Sequence, residues 1–128
     1  GRWPLEPPTR AVRDIVVAGD GKVYGLAEPE RLFVFDAEKG VFVHDEALSG
    51  YGRLTGSQAP RTMAIGPDGS IYALFTEAVV RIEPGTFAHR ALARPGRQIT
   101  AGIVIHKNRL YFACGSHLWS YDLAGRRT

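Results

Sequence analysis

Hydrophobic positions along the chain alternate with polar ones in short runs, and the same arrangement of runs occurs three times. Each repeat reads as a strand, a tight turn and a second strand rich in Val, Ile, Leu, Phe and Tyr, the residues that favour pleated sheets. The repeats align over residues 13–24, 61–72 and 100–111. The pattern therefore predicts three antiparallel hairpins and no helix.

The predicted turns contain residues that tolerate the positive φ of a tight hairpin. Asp20-Gly21 and Asp68-Gly69 occupy the turn in the first two repeats, and Asn108 takes that place in the third. Glycine adopts positive φ without steric cost, and asparagine tolerates it. We therefore expect two-stranded units closed by short turns at these three places.

A third and a fourth strand follow each hairpin. The third strand ends in an acidic residue 12, 11 and 11 residues after a tyrosine that each repeat shares. The fourth strand is predicted over residues 40–44 and 85–89, and the third repeat begins it at residue 125. The tyrosines and the acids are Tyr24, Tyr72, Tyr111, Asp36, Glu83 and Asp122.

The three tyrosines lie 48 and 39 residues apart, which is the length of a β-propeller blade. The sequence thus predicts an all-β fold of three four-stranded antiparallel propeller-type blades, over residues 13–48, 61–93 and 100–128. Residues 1–12 contain three prolines and are predicted to form an arm or linker, because proline lacks the donor that a sheet ladder needs.

Three blades are too few for a closed propeller, which has four to eight. The outer blades would leave apolar faces in water. We therefore expect a partial propeller with further blades in the same chain, or half of a six-bladed ring that a second copy completes.

Composition and charge restrict the partners. The chain has 128 residues, with 16 Lys and Arg against 13 Asp and Glu, a net charge of +3. This excess is too small to indicate nucleic-acid binding, and no apolar run is long enough to span a membrane. Cys114 is the one cysteine, so an internal disulfide is excluded, and its apolar surroundings predict a buried, inert thiol.

Residues 63–74, Met-Ala-Ile-Gly-Pro-Asp-Gly-Ser-Ile-Tyr-Ala-Leu, resemble repeats of the NHL and gluconolactonase-like propellers, and the resemblance extends over residues 13–125. Residues 21–36 also resemble blades of large bacterial secreted proteins, which implies an extracellular or periplasmic location. Such motifs are specific for architecture and not for activity, since propellers have many functions.

The resemblance implies that ligands bind near a central channel, on loops that enter the first strand or join the second to the third. The positions that it assigns there form two columns. Gluconolactonase-like enzymes hold a divalent cation at such positions with acidic and amide side chains, whereas here one of the six is acidic, so no metal or cofactor is predicted. The columns are Arg13, Arg61 and Thr100, then Asp14, Thr62 and Ala101.

Arginines gather in the two segments that join the blades. Arg53, Arg61, Arg94 and Arg97 are predicted to form a basic rim suited to carboxylates or phosphates. The alternative is a solvated loop in which these arginines pair with nearby acids.

Single aromatic and histidine residues are further candidates. Tyr51 stands between two glycines, and an exposed loop tyrosine is suited to contact sugars or partners. His117 falls between the second and third strands of the last repeat, near the expected channel mouth. His44 and His89 occupy equivalent positions, which favours a structural role. No zinc-binding or nucleophile motif is present, so no catalytic residue is assigned.

Three functions are compatible with these features. The first is a non-catalytic module of a larger protein that binds a partner or a ligand, either carbohydrate or anionic, through Arg13, Asp14, Tyr51, Arg53, Arg61, Arg97 and His117. The second is half of a propeller hydrolase or lyase, completed by further blades or a second copy. The third is a purely structural assembly unit.

Overall fold

Eleven strands form three antiparallel sheets in the computed structural model, which describes residues 1–9, 11–54 and 62–123. The first sheet contains, in order, β1 (Val12–Val17), β2 (Val23–Ala27), β3 (Arg31–Asp36) and β4 (Val41–Ala47). The second contains β5 (Met63–Ile65), β6 (Ile71–Leu74), β7 (Val79–Ile82) and β8 (His89–Ala93). The third contains β9 (Ala101–His106), β10 (Arg109–Cys114) and β11 (His117–Asp122), in the order β11-β10-β9.

The turns have the backbone conformation that the sequence predicts. Gly21 and Gly69 have φ of 81° and 86°, and Asn108 has φ of 64°. Each lies between the first and second strands of its sheet, where Val17 pairs with Val23 and Ile65 pairs with Ile71. The prediction of three hairpins is confirmed.

The tyrosine after each Asp-Gly turn binds the aspartate of that turn. The Tyr24 hydroxyl donates to Asp20 Oδ2 at 2.6 Å, and the Tyr72 hydroxyl donates to Asp68 Oδ2 at 3.1 Å. Burial, together with the neighbouring aspartate, raises the pKa of both tyrosines to about 12. In the third unit Lys107 stands where the other two have aspartate. The Asp-Gly-x-x-Tyr motif is thus explained by a local contact that closes the hairpin.

The second sheet lies between the other two and is buried on both faces. Along β6, Ile71 and Ala73 belong to the core shared with the first sheet, whereas Tyr72 and Leu74 belong to the core shared with the third. Side chains alternate between faces along a strand, so a run of four buried apolar residues requires cover on both sides.

The first and third sheets each have an outer face that carries exposed apolar side chains. On β1, Ile15 and Val17 are 57% and 61% exposed, while Val16 between them packs inward. In the third sheet Val104 and Leu118 are 59% and 76% exposed. Further units of the same chain or a second copy, expected to cover such faces, stay a prediction.

The all-β prediction is confirmed: the described residues form antiparallel sheets of four, four and three strands, and propeller-type blades are not shown. The three sheets do not close on one another, because the outer faces of the first and third sheets remain exposed. The third sheet has three strands, and the fourth strand predicted from residue 125 lies outside the described residues.

Three side chains connect the first sheet to the second. Asp14 Oδ2 accepts hydrogen bonds from the backbone N–H groups of Thr62 and Met63, at 2.8 and 2.9 Å. The Tyr24 hydroxyl accepts one from Gly85 N at 3.0 Å. Glu46 Oε2 lies 2.9 Å from His89 Nε2. These contacts fix the relative position of the two sheets in addition to apolar packing.

The described part of the N-terminal arm packs on the first sheet. The Trp3 ring lies 5.0 Å from the Phe35 ring, and the Thr9 hydroxyl donates to the Glu28 carbonyl at 2.5 Å. Arg31 donates to the Pro7 carbonyl. The arm therefore covers part of the outer face of this sheet.

Replacing Tyr24 with Phe is expected to destabilise the protein by about 2 kcal/mol, because the buried Gly85–Tyr24–Asp20 connection loses both hydrogen bonds. Urea unfolding measures this change. Tyr111→Phe is the matched control, since the Tyr111 hydroxyl has no hydrogen-bond partner among the described residues, and its effect should stay near zero.

The same variant should change the response to alkali. The raised pKa of Tyr24 means that its contribution to stability is complete below about pH 10 and is lost as the pH rises towards about 12. Tyr24→Phe should therefore lose less stability over this range than the wild type does. Equal losses in the two proteins would contradict the assignment.

Candidate functional site

Two adjoining clefts open at the end of the stack where the second and third strands of each sheet are joined. The first has a volume of about 580 Å³ and the second about 420 Å³. They share Thr76, Glu77 and Gln98. The first is also lined by Glu30, Gly50, Gly52 and Arg53, and the second by Arg94, Gly96 and Arg97.

Thr76, in the turn between β6 and β7, holds the floor of both clefts. Its N–H donates to the Arg53 carbonyl at 3.0 Å, and its hydroxyl accepts from Arg53 N, also at 3.0 Å. Its carbonyl accepts from Ile99 N at 2.9 Å. One buried residue thus binds the segment that follows the first sheet and the segment that follows the second.

The segment 48–54 crosses the turns of both sheets. Leu48 N donates to the Glu30 carbonyl at 2.7 Å, and Glu77 N donates to the Tyr51 carbonyl at 3.0 Å. Gly52 has φ of 89°, and a Cβ there would lie 2.2 Å from Thr76 Oγ1. Only glycine permits this approach of the segment to the turn, so the floor of the cleft is a closely fitted backbone.

Charged side chains of both signs line the clefts. Among the described residues, the side chains of Arg53, Arg97, Glu30 and Glu77 take part in no hydrogen bond or ion pair. Arg94 is engaged differently: its Nη1 donates to the Gly50 carbonyl at 2.9 Å, and its guanidinium lies 5.6 Å from the centre of the Tyr51 ring. The clefts therefore offer several charged groups to a ligand.

A chain of polar contacts lies behind the clefts, where the outer strands β4 and β8 meet. The Tyr51 hydroxyl is 2.8 Å from His89 Nδ1, and Glu46 is 2.9 Å from both His89 Nε2 and His44 Nε2. The His44 ring stacks on Phe87 at 4.5 Å. Both histidines contact one carboxylate, which agrees with the structural role that their repetition favoured.

Three groups in this region have shifted pKa values. Hydrogen bonds, first from His89 and then from His44, hold the pKa of Glu46 below its usual value, although partial burial opposes them. Burial raises the pKa of Tyr51. Burial also raises the pKa of the Cys114 thiol against the opposing charge of Arg97, and Cys114 is a buried free thiol as predicted.

Two of the predicted site residues have structural partners. Arg13 forms an ion pair with Glu28 at 3.3 Å, and its buried Nε has no partner among the described residues. Both oxygens of Asp14 accept backbone hydrogen bonds, from Ile15 on one side and from Thr62 and Met63 on the other. Asp14 connects two sheets, and its role in ligand binding stays untested.

The expectation that Tyr51 is exposed is wrong. The residue is 8% exposed, because Phe75 packs 5.8 Å and His89 5.6 Å from its ring. The glycines on either side let the chain turn so that the ring points inward, where the second sheet covers it.

The other predicted site residues are dispersed. Arg53 and Arg97 line the first and the second cleft respectively. His117 is the exposed first residue of β11 and lines neither cleft. Arg61 lies outside the described residues.

Several cleft residues were not predicted. Glu30 and Glu77 lie in turns between second and third strands, where the sequence predicts ligand-binding loops. Gln98 lies in the Arg94–Gln98 segment, for which the sequence predicts a basic rim formed by the arginines alone. The turn position was the available signal, but it does not show that Thr76 and Gly52 meet.

Within residues 1–9, 11–54 and 62–123, no cluster of three or more His, Cys, Asp or Glu side chains is arranged to hold a metal ion. The same residues contain no helix of the length and apolar character needed to cross a bilayer.

Two solved structures share the fold. One is the extracellular domain of a B. thetaiotaomicron protein assigned as a hybrid two-component system, with a TM-score of 0.72 and 17% identity. The other is a second structure of the extracellular domain of the same protein, there assigned as a one-component system, with a TM-score of 0.65 and 16% identity. Each match covers 98% of this chain and 17% of the solved one, so the chain spans about a sixth of those domains.

No protein-family model matches the chain. No curated protein matches it either. The resemblance to NHL and gluconolactonase-like propellers is therefore wrong: no such family is found, the structural likeness is to extracellular domains of signalling systems, and the sheets do not close. The motif on which the resemblance was based is instead typical of a hairpin that is closed by a hydrogen bond between aspartate and tyrosine.

Replacing Thr76 with Val should loosen the cleft floor and destabilise the protein by about 1 kcal/mol, because Arg53 N loses its acceptor. Thr76→Ser keeps the hydroxyl and is the matched control. Hydrogen exchange of the Arg53 amide should accelerate about fivefold in the first variant and little in the second. Equal exchange in both variants would show that the hydroxyl does not hold this segment.

Replacing Glu46 with Gln should weaken the contact between β4 and β8. The lowered pKa of Glu46 means that its contribution is complete above the usual glutamate value of about 4.3 and is lost as the pH falls through the lower value in the folded state. Because the side chain is about one-third exposed, water screens the interaction, and we expect a loss of about 1 kcal/mol at pH 6.

Urea unfolding at several pH values between 3 and 6 measures this effect. The difference between wild type and Glu46→Gln should shrink as the pH falls. Glu38→Gln, at a carboxylate with no partner among the described residues, is the control and should show no such convergence. A difference that is independent of pH would contradict the role given to the charge of Glu46.

Proposed function

We propose that this chain is part of an extracellular binding or sensing module that captures a small polar ligand in the two adjoining clefts and performs no chemistry on it. The observation that carries the proposal is a cleft whose floor is fixed by the hydrogen bonds of Thr76. It is lined by charged side chains that have no ion-pair partner among the described residues. Each cleft, at about 580 and 420 Å³, has a volume within the range of small-molecule sites.

The cleft chemistry favours recognition. Guanidinium groups of Arg53 and Arg97 offer forked hydrogen-bond donors, and Gln98 offers both a donor and an acceptor. The Thr76 hydroxyl already accepts a hydrogen bond from Arg53 N. Among the described cleft residues, no nucleophile lies within hydrogen-bond distance of a general base.

The structural likeness supports the setting of this proposal. The two solved domains are extracellular parts of proteins assigned as signalling systems. We infer the same setting for this chain, outside the cytoplasmic membrane, within a longer polypeptide. The expectation of a carbohydrate ligand was based on an exposed Tyr51; because that residue is buried, no aromatic contact to a sugar supports the proposal.

Titration followed by ¹H–¹⁵N NMR tests the proposal, with citrate, maltotriose and trialanine as probes. At least one probe should shift the amide signals of Gly52, Glu77 and Gln98 in a saturable manner. Arg97→Gln should weaken the binding of citrate and of trialanine about tenfold, since it removes a charged donor. Arg109→Gln, on the third sheet away from the clefts, is the control.

Shifts that map only to other parts of the chain would overturn the proposal. Unchanged binding of citrate and trialanine in Arg97→Gln would do the same.

A further inference from the structure

The paired clefts carry opposite charge at their two ends. Glu30 lines only the first cleft, whereas Arg94 and Arg97 line only the second. Glu77 is common to both, and Arg53 lines the first. Counted by their charged lining, the first cleft is net negative by one and the second net positive by one.

We propose that this cleft binds a short peptide, with its ammonium group at the Glu30 end and its carboxylate at the Arg97 end. The inference rests on the proposed function and names the ligand class of the same site. It follows from the polarity of the clefts, because a ligand with one charge would be repelled at one of the two ends.

The acidic end is suited to an ammonium group. Among the described residues the carboxylates of Glu30 and Glu77 take part in no ion pair, and the backbone at Glu30 is fixed by a hydrogen bond from Leu48 N to its carbonyl at 2.7 Å. An ammonium group offers three donors and binds such carboxylates through charge-assisted hydrogen bonds.

The basic end is suited to a carboxylate. Arg97 is exposed and takes part in no ion pair among the described residues, whereas Arg94 is oriented by the Gly50 carbonyl and the Tyr51 ring. A guanidinium can bind both oxygens of a carboxylate at once. One fixed and one adjustable arginine can thus bind the end of a ligand.

The shared middle of the cleft accommodates the peptide backbone. Thr76, Glu77 and Gln98 line both clefts, so the two clefts adjoin at these residues. An extended tripeptide reaches about 10 Å, so its ammonium and carboxylate groups are well separated. In a free amino acid the ammonium and carboxylate groups are attached to the same carbon, so the two charges lie much closer together.

Blocked peptides test the inference by NMR titration, with the amides of Gly52, Glu77 and Gln98 as reporters. Trialanine should bind about tenfold more tightly than N-acetyl-trialanine and than trialanine amide, because each blocked peptide lacks one charge. Alanine alone should bind more weakly than trialanine.

Variants assign each end. Glu30→Gln should abolish the preference for trialanine over N-acetyl-trialanine and keep the preference over trialanine amide. Arg97→Gln should show the reverse. Glu38→Gln and Arg109→Gln are the controls at sites away from the clefts, and both should keep the two preferences.

Equal binding of trialanine and its blocked forms would overturn the inference, as would variants that weaken all peptides alike. Saturable binding of citrate or maltotriose in the cleft without binding of trialanine would also overturn it, while the proposed binding function would stand. Loss of all cleft binding would remove both.

Discussion

The second sheet is apolar on both of its faces, and the arrangement of the other two sheets depends on this. Successive side chains of a strand point to opposite faces, so the buried run Ile71–Leu74 cannot turn its apolar side chains to one side only. Burial of such side chains is the largest favourable contribution to folding. A sheet on each side is therefore required, and the first and third sheets supply them. Their own outer faces keep exposed apolar residues such as Val17 and Leu118 because only one face of each is needed for this contact.

The candidate site follows from this stacking. Because adjacent units repeat the same strand order, the turn at Pro29-Glu30 and the turn at Thr76-Glu77 come to lie at the same end of the stack. The segment 48–54, which leaves the first sheet, contacts both turns through backbone hydrogen bonds. The clefts and the closely fitted backbone at their floor thus result from the repeated strand order.

Local features of the fold could be predicted from sequence, and features that depend on distant residues could not. The turn at Asp20-Gly21 is determined by residues within four positions of each other, so its conformation can be predicted from the local sequence. Tyr51 reads as exposed because its neighbours are glycines, but it is buried by Phe75 and His89, which lie in the second unit. The same limit hides the structural contacts of Asp14 from the sequence, since its backbone partners lie 48 and 49 residues away.

The contacts behind the clefts connect ligand binding to the packing of the sheets. Glu46 on β4 contacts His89 on β8, His89 contacts Tyr51, and the Tyr51 ring lies beside Arg94 at the basic end of the cleft. A ligand that contacts Glu30 and Arg97 together touches segments that belong to the first sheet and follow the second. Such a ligand stabilises one relative position of the two sheets by as much as its affinity differs between positions. Binding of a ligand there would thus favour one relative position of the two sheets, which is what the proposed sensing function requires.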